Sequence, residues 1–170
     1  MIFGLFVILA IYIVSIALLV YGFFKIKTYQ KKNFEPKTSF TIIVPFRNEK
    51  ENLPVLLESF SNLNYPKFLF KVILVDDSSG EKFHISPLTF DVSQIDNVRV
   101  SKSPKKDAIT TAMQQVKTDW VITTDADCLV PENWLSNFDN YIQENEVSML
   151  AGAVTYQCKN SFLDHFQQLD

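Results

Sequence analysis

Residues 39–49, SFTIIVPFRNE, join a short apolar run to a polar segment, and this junction decides the fold. The run at residues 39–45 is rich in β-branched side chains and almost continuously apolar, which is typical of a strand covered on both faces of a parallel sheet. Asn48 followed by Glu51 is a helix-start signal, and we place the start near Glu51 because Pro54 is tolerated only in a first turn. The stretch therefore predicts a strand followed directly by a helix.

Similar junctions recur along the chain. Residues 70–75 (FKVILV) and 120–124 (WVITT) are two further apolar runs that end in aspartates. The remaining predicted elements are a brief strand at residues 98–100, a helix at 106–116, a helix that begins near Pro131 and carries Trp134, Leu135, Phe138 and Ile142 on one face, a strand at 147–154 and a helix at 161–170. Strands that alternate with helices predict an α/β fold with a mainly parallel sheet and helices on both faces.

The beginning of the chain is a separate segment. Residues 2–24 contain no charged side chain, and about 20 apolar residues are enough to cross a bilayer core of roughly 30 Å as a helix. A cleaved signal peptide would have a basic start, a shorter apolar run and a small-residue cleavage site. We therefore predict a transmembrane helix at residues 1–25, a basic juxtamembrane linker at 26–37 and a soluble domain at 38–170.

The charges next to the apolar run predict its orientation in the membrane. Five lysines follow the run within a short distance: Lys25, Lys27, Lys31, Lys32 and Lys37. Lysine and arginine are enriched on the cytoplasmic side of membrane spans. The sequence therefore predicts a protein of the cell membrane whose soluble domain is cytoplasmic.

Composition excludes several kinds of partner and site. Residues 38–170 carry 11 basic and 18 acidic side chains, so we expect no broad basic face and no nucleic-acid partner, and acidic groups there need a cation before they approach a phosphate. Cys128 and Cys158 show no paired spacing and have no histidine nearby. Neither a disulfide framework nor a zinc site is indicated.

Two aspartates at the end of one predicted strand suggest a metal site. Ligands of open α/β sheets bind outside the carboxyl ends of the strands. Asp125 and Asp127 stand two positions apart, and in an extended segment they would point to the same side and share Mg²⁺ or Mn²⁺ with substrate phosphates. Such a cation would neutralise a leaving diphosphate. The alternative is that both aspartates cap the next helix or bind water.

Other polar residues suggest a nucleotide. Asp76 and Asp77 repel each other unless a cation, a donor group or solvent screens them. One of them is a candidate acceptor for the ring N–H of a uracil-like or guanine-like base, and the alternative is an Asx turn that opens the loop. Lys105, preceded by Pro104, is a candidate contact for donor phosphates, and the alternative is a solvated lysine.

Taken as an ordered set, four segments resemble family 2 glycosyltransferases. They are residues 43–49 (IVPFRNE), residues 75–79 (VDDSS), Lys105 with Ala108 and Ala112, and residues 124–127 (TDAD). The resemblance covers most of residues 38–170 and implies a fold of the glycosyltransferase A type, similar to nucleotide-diphospho-sugar transferases but truncated. It implies a site with Pro45, Arg47 and Glu49 around the nucleotide, Asp76, beside Asp77, on the base, Lys105 near the diphosphate, and Asp125 and Asp127 as catalytic residues on the donor and its metal.

The resemblance also implies the reaction. Members of the family transfer a sugar from a nucleotide-diphosphate donor, and we expect a metal-dependent transfer to a lipid, glycan or cell-envelope polysaccharide acceptor. Three positions depart from the pattern. Arg47 stands where many relatives have an aromatic residue, and Lys106 and Asp107 replace the small residues usual after the lysine. The general base of the family follows the Asp-x-Asp much later, and we expect it beyond residue 170 of a longer protein.

Three other functions remain alternatives. Haloacid-dehalogenase-like phosphatases also place Asp-x-Asp after an apolar strand, but on their first strand. A sugar nucleotidyltransferase would have a glycine-rich loop after the first strand, whereas the chain has four glycines in total and none there. A membrane-anchored protein that binds a nucleotide sugar without catalysis is the non-enzymatic alternative.

Protease treatment of sealed membrane vesicles tests the predicted orientation. Because the lysines should keep the domain cytoplasmic, we expect cleavage of the domain in inside-out vesicles and protection in right-side-out vesicles until detergent is added. Cleavage only from the outer face of right-side-out vesicles would contradict this topology.

Overall fold

The computed structural model describes residues 2–25, 29, 32 and 34–155. The chain divides into two units, with the boundary in the sequence between Lys32 and Asn33. The first unit contains helix α1 (Ile2–Phe24). Residues Phe3–Phe24 have a mean hydropathy of 2.9, and none of this stretch is buried within the protein. Among the described residues this is the one helix long and apolar enough to cross a membrane, and it coincides with the predicted span.

The second unit is an α/β fold, as predicted. Its strands are β1 (Phe40–Phe46), β2 (Phe70–Asp76), β3 (Asp91–Asp96) and β4 (Trp120–Thr123), and its helices are α2 (Asn52–Ser61), α3 (Pro104–Met113) and α4 (Trp134–Glu144), with a 3-10 helix at Lys67–Leu69. The four strands form one sheet in the order β3-β2-β1-β4. Every pair is parallel.

Alternation along the central strands creates two apolar faces. Ile42 and Val44 of β1 belong to a core with helices α2 and α4, whereas Ile43 belongs to a second core with α3. All three side chains are fully buried. This burial on both faces explains the nearly continuous apolar run of β1, because successive side chains of a strand point to opposite sides.

The strand order reverses next to β1. The chain runs outward from β1 through β2 to β3 and then returns through α3 to β4 on the other side of β1. A crevice opens at such a reversal because the connections on either side leave in opposite directions, and ligands of open α/β sheets bind there. The carboxyl ends of β1 and β4 flank this position.

The strand predicted at residues 98–100 is wrong, and the strand lies at Asp91–Asp96 instead. Val98 and Val100 are exposed, at 62% and 85%. The observed strand has the sequence DVSQID, which lacks an apolar run because β3 is an edge strand with half-buried faces. Its pairing with β2 is a long-range contact that no local pattern announces.

The strand predicted at residues 147–154 is also wrong, because residues 146–155 contain no strand. β-Branched side chains do not make a strand without a partner, and β4 pairs only with β1 among the described residues. The predicted helix at residues 106–116 begins two positions earlier, where Pro104 occupies the first turn. The helix predicted at residues 161–170 lies outside the described residues.

Helix α4 also holds the extended segment that precedes β1. Asp139 is fully buried and accepts hydrogen bonds from the backbone N–H groups of Lys37 and Thr38 at 3.2 and 3.3 Å and from the Thr38 hydroxyl. Asn140 accepts one from the N–H of Phe34 at 3.0 Å. Two polar residues on the buried face of α4 thus replace water for backbone groups that have no strand partner.

Substitution on helix α2 tests the described core. Leu56→Ala should lower the free energy of unfolding by about 2–5 kcal/mol, because Leu56 is fully buried and its removal leaves a cavity. Val55→Ala, at the preceding residue, whose side chain is 49% exposed, should change the free energy of unfolding by only about 0.5 kcal/mol. Chemical unfolding of the detergent-solubilised protein, followed by tryptophan fluorescence, measures both. Equal losses for the two variants would contradict this burial pattern.

Candidate functional site

Polar residues at the carboxyl ends of β1, β2 and β4 meet around an open cavity of about 330 Å³, hereafter the cleft. The first turn of α3 supplies a further wall. Seven residues singled out in the sequence line the cleft: Pro45, Arg47, Glu49, Asp77, Lys105, Asp125 and Asp127. Their meeting follows from the all-parallel sheet, whose carboxyl strand ends share one edge. The cleft lies at the strand-order reversal beside β1.

The geometry of Asp125 and Asp127 differs from the extended segment that we expected. β4 ends at Thr123, and Ala126 and Asp127 lie in a turn. The N–H of Cys128 donates to the carbonyl of Asp125 at 3.3 Å and closes this turn. Both aspartates are exposed and line the same cleft. The turn brings them together, whereas we had expected the side-chain alternation of an extended strand to do so.

Lys105 reaches across the cleft to Asp125. Its Nζ atom lies 2.5 Å from Oδ1 of Asp125, and the two side chains are 60% and 54% exposed. Exposed ion pairs contribute only about 0–1 kcal/mol. This contact is therefore easily exchanged for a stronger partner of either group.

The two aspartates fit a hard divalent cation only in part. They offer carboxylate oxygens, the ligand type that Mg²⁺ and Mn²⁺ prefer. Among the described residues, no set of three or more histidine, cysteine, aspartate and glutamate side chains is arranged to hold a metal ion. A cation at Asp125 and Asp127 would therefore need oxygens from elsewhere, which substrate phosphates supply in many Mg²⁺ sites.

Asp76 and Asp77 diverge at the end of β2. Asp76 is buried and lines a second cavity of about 260 Å³, the side cavity, together with Lys82, His84 and Asp96. Its Oδ1 atom accepts a hydrogen bond from the N–H of Ser79 at 2.9 Å, which is the turn-opening role considered as the alternative. Asp76 and Asp96 are register partners on β2 and β3. Two carboxylates from neighbouring strands therefore line the side cavity.

Asp77 is held by residues that the sequence did not single out. Arg99 donates to both of its carboxylate oxygens, with Nε at 2.7 Å from Oδ1, and Asn97 donates to Oδ1 at 2.6 Å. The hydrogen bond from Arg99 holds the pKa of Asp77 below its usual range, with help from Asn97 and against the effect of burial. The pairing removes the repulsion expected between adjacent carboxylates. Arg99 follows β3, whose position the sequence did not reveal.

The loops after β1 and β2 are tied to each other. Asn48 has a φ of 58° and Ser78 a φ of 61°, in the left-handed region that few residues other than glycine adopt. The N–H of Asn48 donates to the Ser79 hydroxyl at 2.9 Å, and its side-chain oxygen accepts from the N–H of Gly80 at 2.9 Å. An ion pair between Lys50 and Glu81, at 2.6 Å, continues the connection.

Helix α2 begins at Asn52, next to Glu51, where the helix-start signal placed it, but side-chain capping does not make this start. Glu51 forms no capping hydrogen bond through its side chain, and the side chain of Asn48 serves the loop after β2. The carbonyl of Glu49 accepts from the N–H groups of Asn52 and Leu53, at 3.1 and 3.0 Å. The Glu49 carboxylate accepts from the Asn52 amide at 2.7 Å. Glu49 therefore joins the wall of the cleft to the start of α2.

Comparison with known proteins shows which family shares this sequence and fold. The model of glycosyl transferase family 2 matches residues 41–169. Poly(ribitol-phosphate) beta-N-acetylglucosaminyltransferase TarS of Staphylococcus aureus (strain Mu50 / ATCC 700699) is 29% identical over 118 residues, which are 65% of this chain and 20% of TarS. The chain thus spans about a fifth of the length of that relative.

The likeness extends to a solved structure. The crystal structure of S. aureus TarS 1–349 superimposes with a TM-score of 0.50 at 27% identity, and the match covers 62% of this chain and 32% of that chain. The fold is therefore of the glycosyltransferase A type that the sequence resemblance implied. Since the family model covers nearly all of the second unit, the chain belongs to glycosyl transferase family 2.

Proposed function

We propose that the protein is a metal-dependent glycosyltransferase that moves a hexosyl-type sugar from a nucleotide-diphosphate donor to a lipid, glycan or cell-envelope polysaccharide acceptor. The observation that carries the proposal is the cleft at the strand-order reversal, where Lys105 lies against Asp125 beside Asp127. A lysine and two carboxylates at one point match a diphosphate and the divalent cation that accompanies it. Membership of family 2 supports the reaction class.

The side chains divide between the parts of the donor. Lys105 and the first turn of α3 face the diphosphate, because an ammonium group and the amino end of a helix both favour an anion. Asp76 accepts a hydrogen bond from the base, since it is buried at the side cavity. Pro45, Arg47 and Glu49 line the cleft on the side of β1 and face the nucleotide, and Asp77, which Arg99 holds, lines the cleft with them.

Asp125 and Asp127 would hold Mg²⁺ or Mn²⁺, and the cation would offset the negative charge that develops on the leaving diphosphate. The ammonium group of Lys105 acts in the same direction without a metal. When the bond between the anomeric carbon and the diphosphate oxygen breaks, the oxygen keeps the electron pair, and the Lys105 ammonium stabilises the negative charge left on the diphosphate. The acceptor hydroxyl needs a base in addition.

A relative supports the donor and acceptor classes. TarS is a β-N-acetylglucosaminyltransferase that acts on poly(ribitol phosphate), a polymer rich in hydroxyl groups and phosphates. A polymeric or lipid-linked acceptor of that chemistry suits a protein held at a membrane by α1. We place the domain on the cytoplasmic side, because of the lysines that follow α1.

Transfer assays with the whole protein in native membranes test the function. With Mg²⁺ or Mn²⁺ and a panel of UDP- and GDP-linked sugars, we expect transfer from at least one donor. Asp125→Ala and Asp76→Ala should each lower the rate by at least about 100-fold, because the first removes a ligand of the cation on the diphosphate and the second removes the acceptor for the base. Asp91→Ala, an exposed carboxylate at the opposite end of β3, serves as the control. Donor binding without transfer would favour the non-catalytic alternative, and no binding of any donor would refute the proposal.

Metal binding is expected to depend on the nucleotide. Calorimetry should show weak Mn²⁺ binding to the protein alone and tighter binding with UDP or GDP, because Asp125 and Asp127 provide an incomplete set of ligands. Asp127→Asn should abolish this difference. Lys105→Ala should tighten Mn²⁺ binding without nucleotide by about 2–5-fold, as expected for the loss of an exposed ion pair, whereas Lys106→Ala should not. Mn²⁺ affinity that ignores both the nucleotide and Asp127 would exclude this metal site.

A further inference from the structure

The loop at residues 97–103, hereafter the 97–103 loop, joins β3 to α3 and is held from both sides by a buried carboxylate. Asp77 holds its first part through Asn97 and Arg99. Asp107 holds its middle: the carboxylate accepts hydrogen bonds from the N–H groups of Val100 at 3.0 Å and Ser101 at 2.8 Å and from the Ser101 hydroxyl at 2.8 Å. Asp77 and Asp107 are each only 6% exposed.

Asp107 is an unexpected residue at this position. The other buried side chains of α3 are those of Ala108 and Ala112. In the pattern of family 2 glycosyltransferases, a small residue is usual at the position of Asp107. A buried carboxylate costs free energy unless it is well hydrogen-bonded. Here the backbone N–H of Ser101 is the main reason that the pKa of Asp107 lies below its usual range, followed by the Ser101 hydroxyl and the N–H of Val100. Apolar packing alone does not call for this residue.

The contacts of Asp107 act on the start of the helix that carries Lys105. Lys105 and Asp107 are two positions apart in the first turn of α3, so their side chains leave the helix in different directions. Lys105 extends to Asp125 in the cleft, whereas Asp107 bonds to the loop behind it and lines neither cavity. The N–H of Asp107 also donates to the carbonyl of Ser103 at 3.0 Å.

We propose that Asp107 is a positioning residue for Lys105: it fixes the 97–103 loop against the first turn of α3 and so presents the lysine ammonium to the donor diphosphate. The inference rests on the proposed function of the cleft. Without the three hydrogen bonds of Asp107, the loop and the first turn of α3 move relative to each other, and the lysine loses its defined place. Asp107 itself touches no ligand.

The test measures how much the second phosphate of a nucleotide contributes to binding. The affinity ratio of UDP over UMP, and of GDP over GMP, is obtained by calorimetry on the detergent-solubilised protein. For the nucleotide pair that binds, Lys105→Ala should reduce the ratio, since its ammonium contacts the second phosphate. Asp107→Ala should reduce the same ratio by about 3–10-fold, and it should have no further effect in a Lys105→Ala background, because coupled residues are not additive. Asp107→Asn keeps one acceptor oxygen and should lie between wild type and Asp107→Ala.

A control variant at the contact between the 97–103 loop and α3 separates an effect on the position of Lys105 from an effect on stability. The Thr111 hydroxyl accepts a hydrogen bond from the N–H of Val98 at 3.2 Å, one turn further along α3. Thr111→Val should lower the midpoint of thermal unfolding but leave the diphosphate-to-monophosphate ratio unchanged. If Asp107→Ala does not fold, the comparison of Asp107→Asn with Thr111→Val carries the test.

The outcomes distinguish this inference from the proposed function. If Lys105→Ala reduces the ratio but Asp107→Ala lowers it equally with and without Lys105, or weakens monophosphate and diphosphate alike, Asp107 does not act through Lys105 and the inference is overturned. If Lys105→Ala leaves the ratio unchanged, the placement of the diphosphate in the proposed function fails first, and the inference falls with it.

Discussion

Parallel pairing of β1 on both of its edges is the constraint on which the rest of the structure depends. β1 pairs with β2 along seven residues, from Phe40 to Phe46, and with β4 along its first four. Because all strands run the same way, their polar ends gather at one edge. Backbone hydrogen bonds extend this pairing beyond the strand ends: the N–H of Asp77 donates to the carbonyl of Phe46, and the N–H of Thr124 donates to the carbonyl of Ile43. The position of the cleft thus follows from strand pairing, and the segments that leave the strand ends complete its lining.

Charges around the cleft are paired in two contacts, one with a buried carboxylate and one exposed on both sides. Asp77 is buried and bound by Arg99, whereas Lys105 and Asp125 are both more than half exposed. The first pair resists exchange because separating it would leave a charge without water. The second exchanges at small cost, because water solvates either partner. In such a site the Asp77–Arg99 pair stays in place, while Lys105 and Asp125 are free to exchange each other for a ligand.

Rigid supports surround those available groups. The loops after β1 and β2 are joined through Asn48, Ser79 and Gly80, and the left-handed backbone of Asn48 and Ser78 is sustained by these bonds. On the other side, Asp107 holds the 97–103 loop. Exposed lysine and aspartate side chains are mobile by themselves. Their usefulness in a ligand site depends on such fixed backbone around them.

The sequence alone determined the apolar helix, the strands β1, β2 and β4, and the polar strand ends, because these depend on local patterns of apolar residues and on turn chemistry. Tertiary structure alone decided the placement of β3, whose half-polar sequence becomes a strand only by pairing with β2. It also decided the partners of Asp77 and Asp107 and, among the residues that the structure describes, it gives residues 147–154 no strand partner. These features rest on contacts between distant residues, so the periodicity of a single segment carries no trace of them.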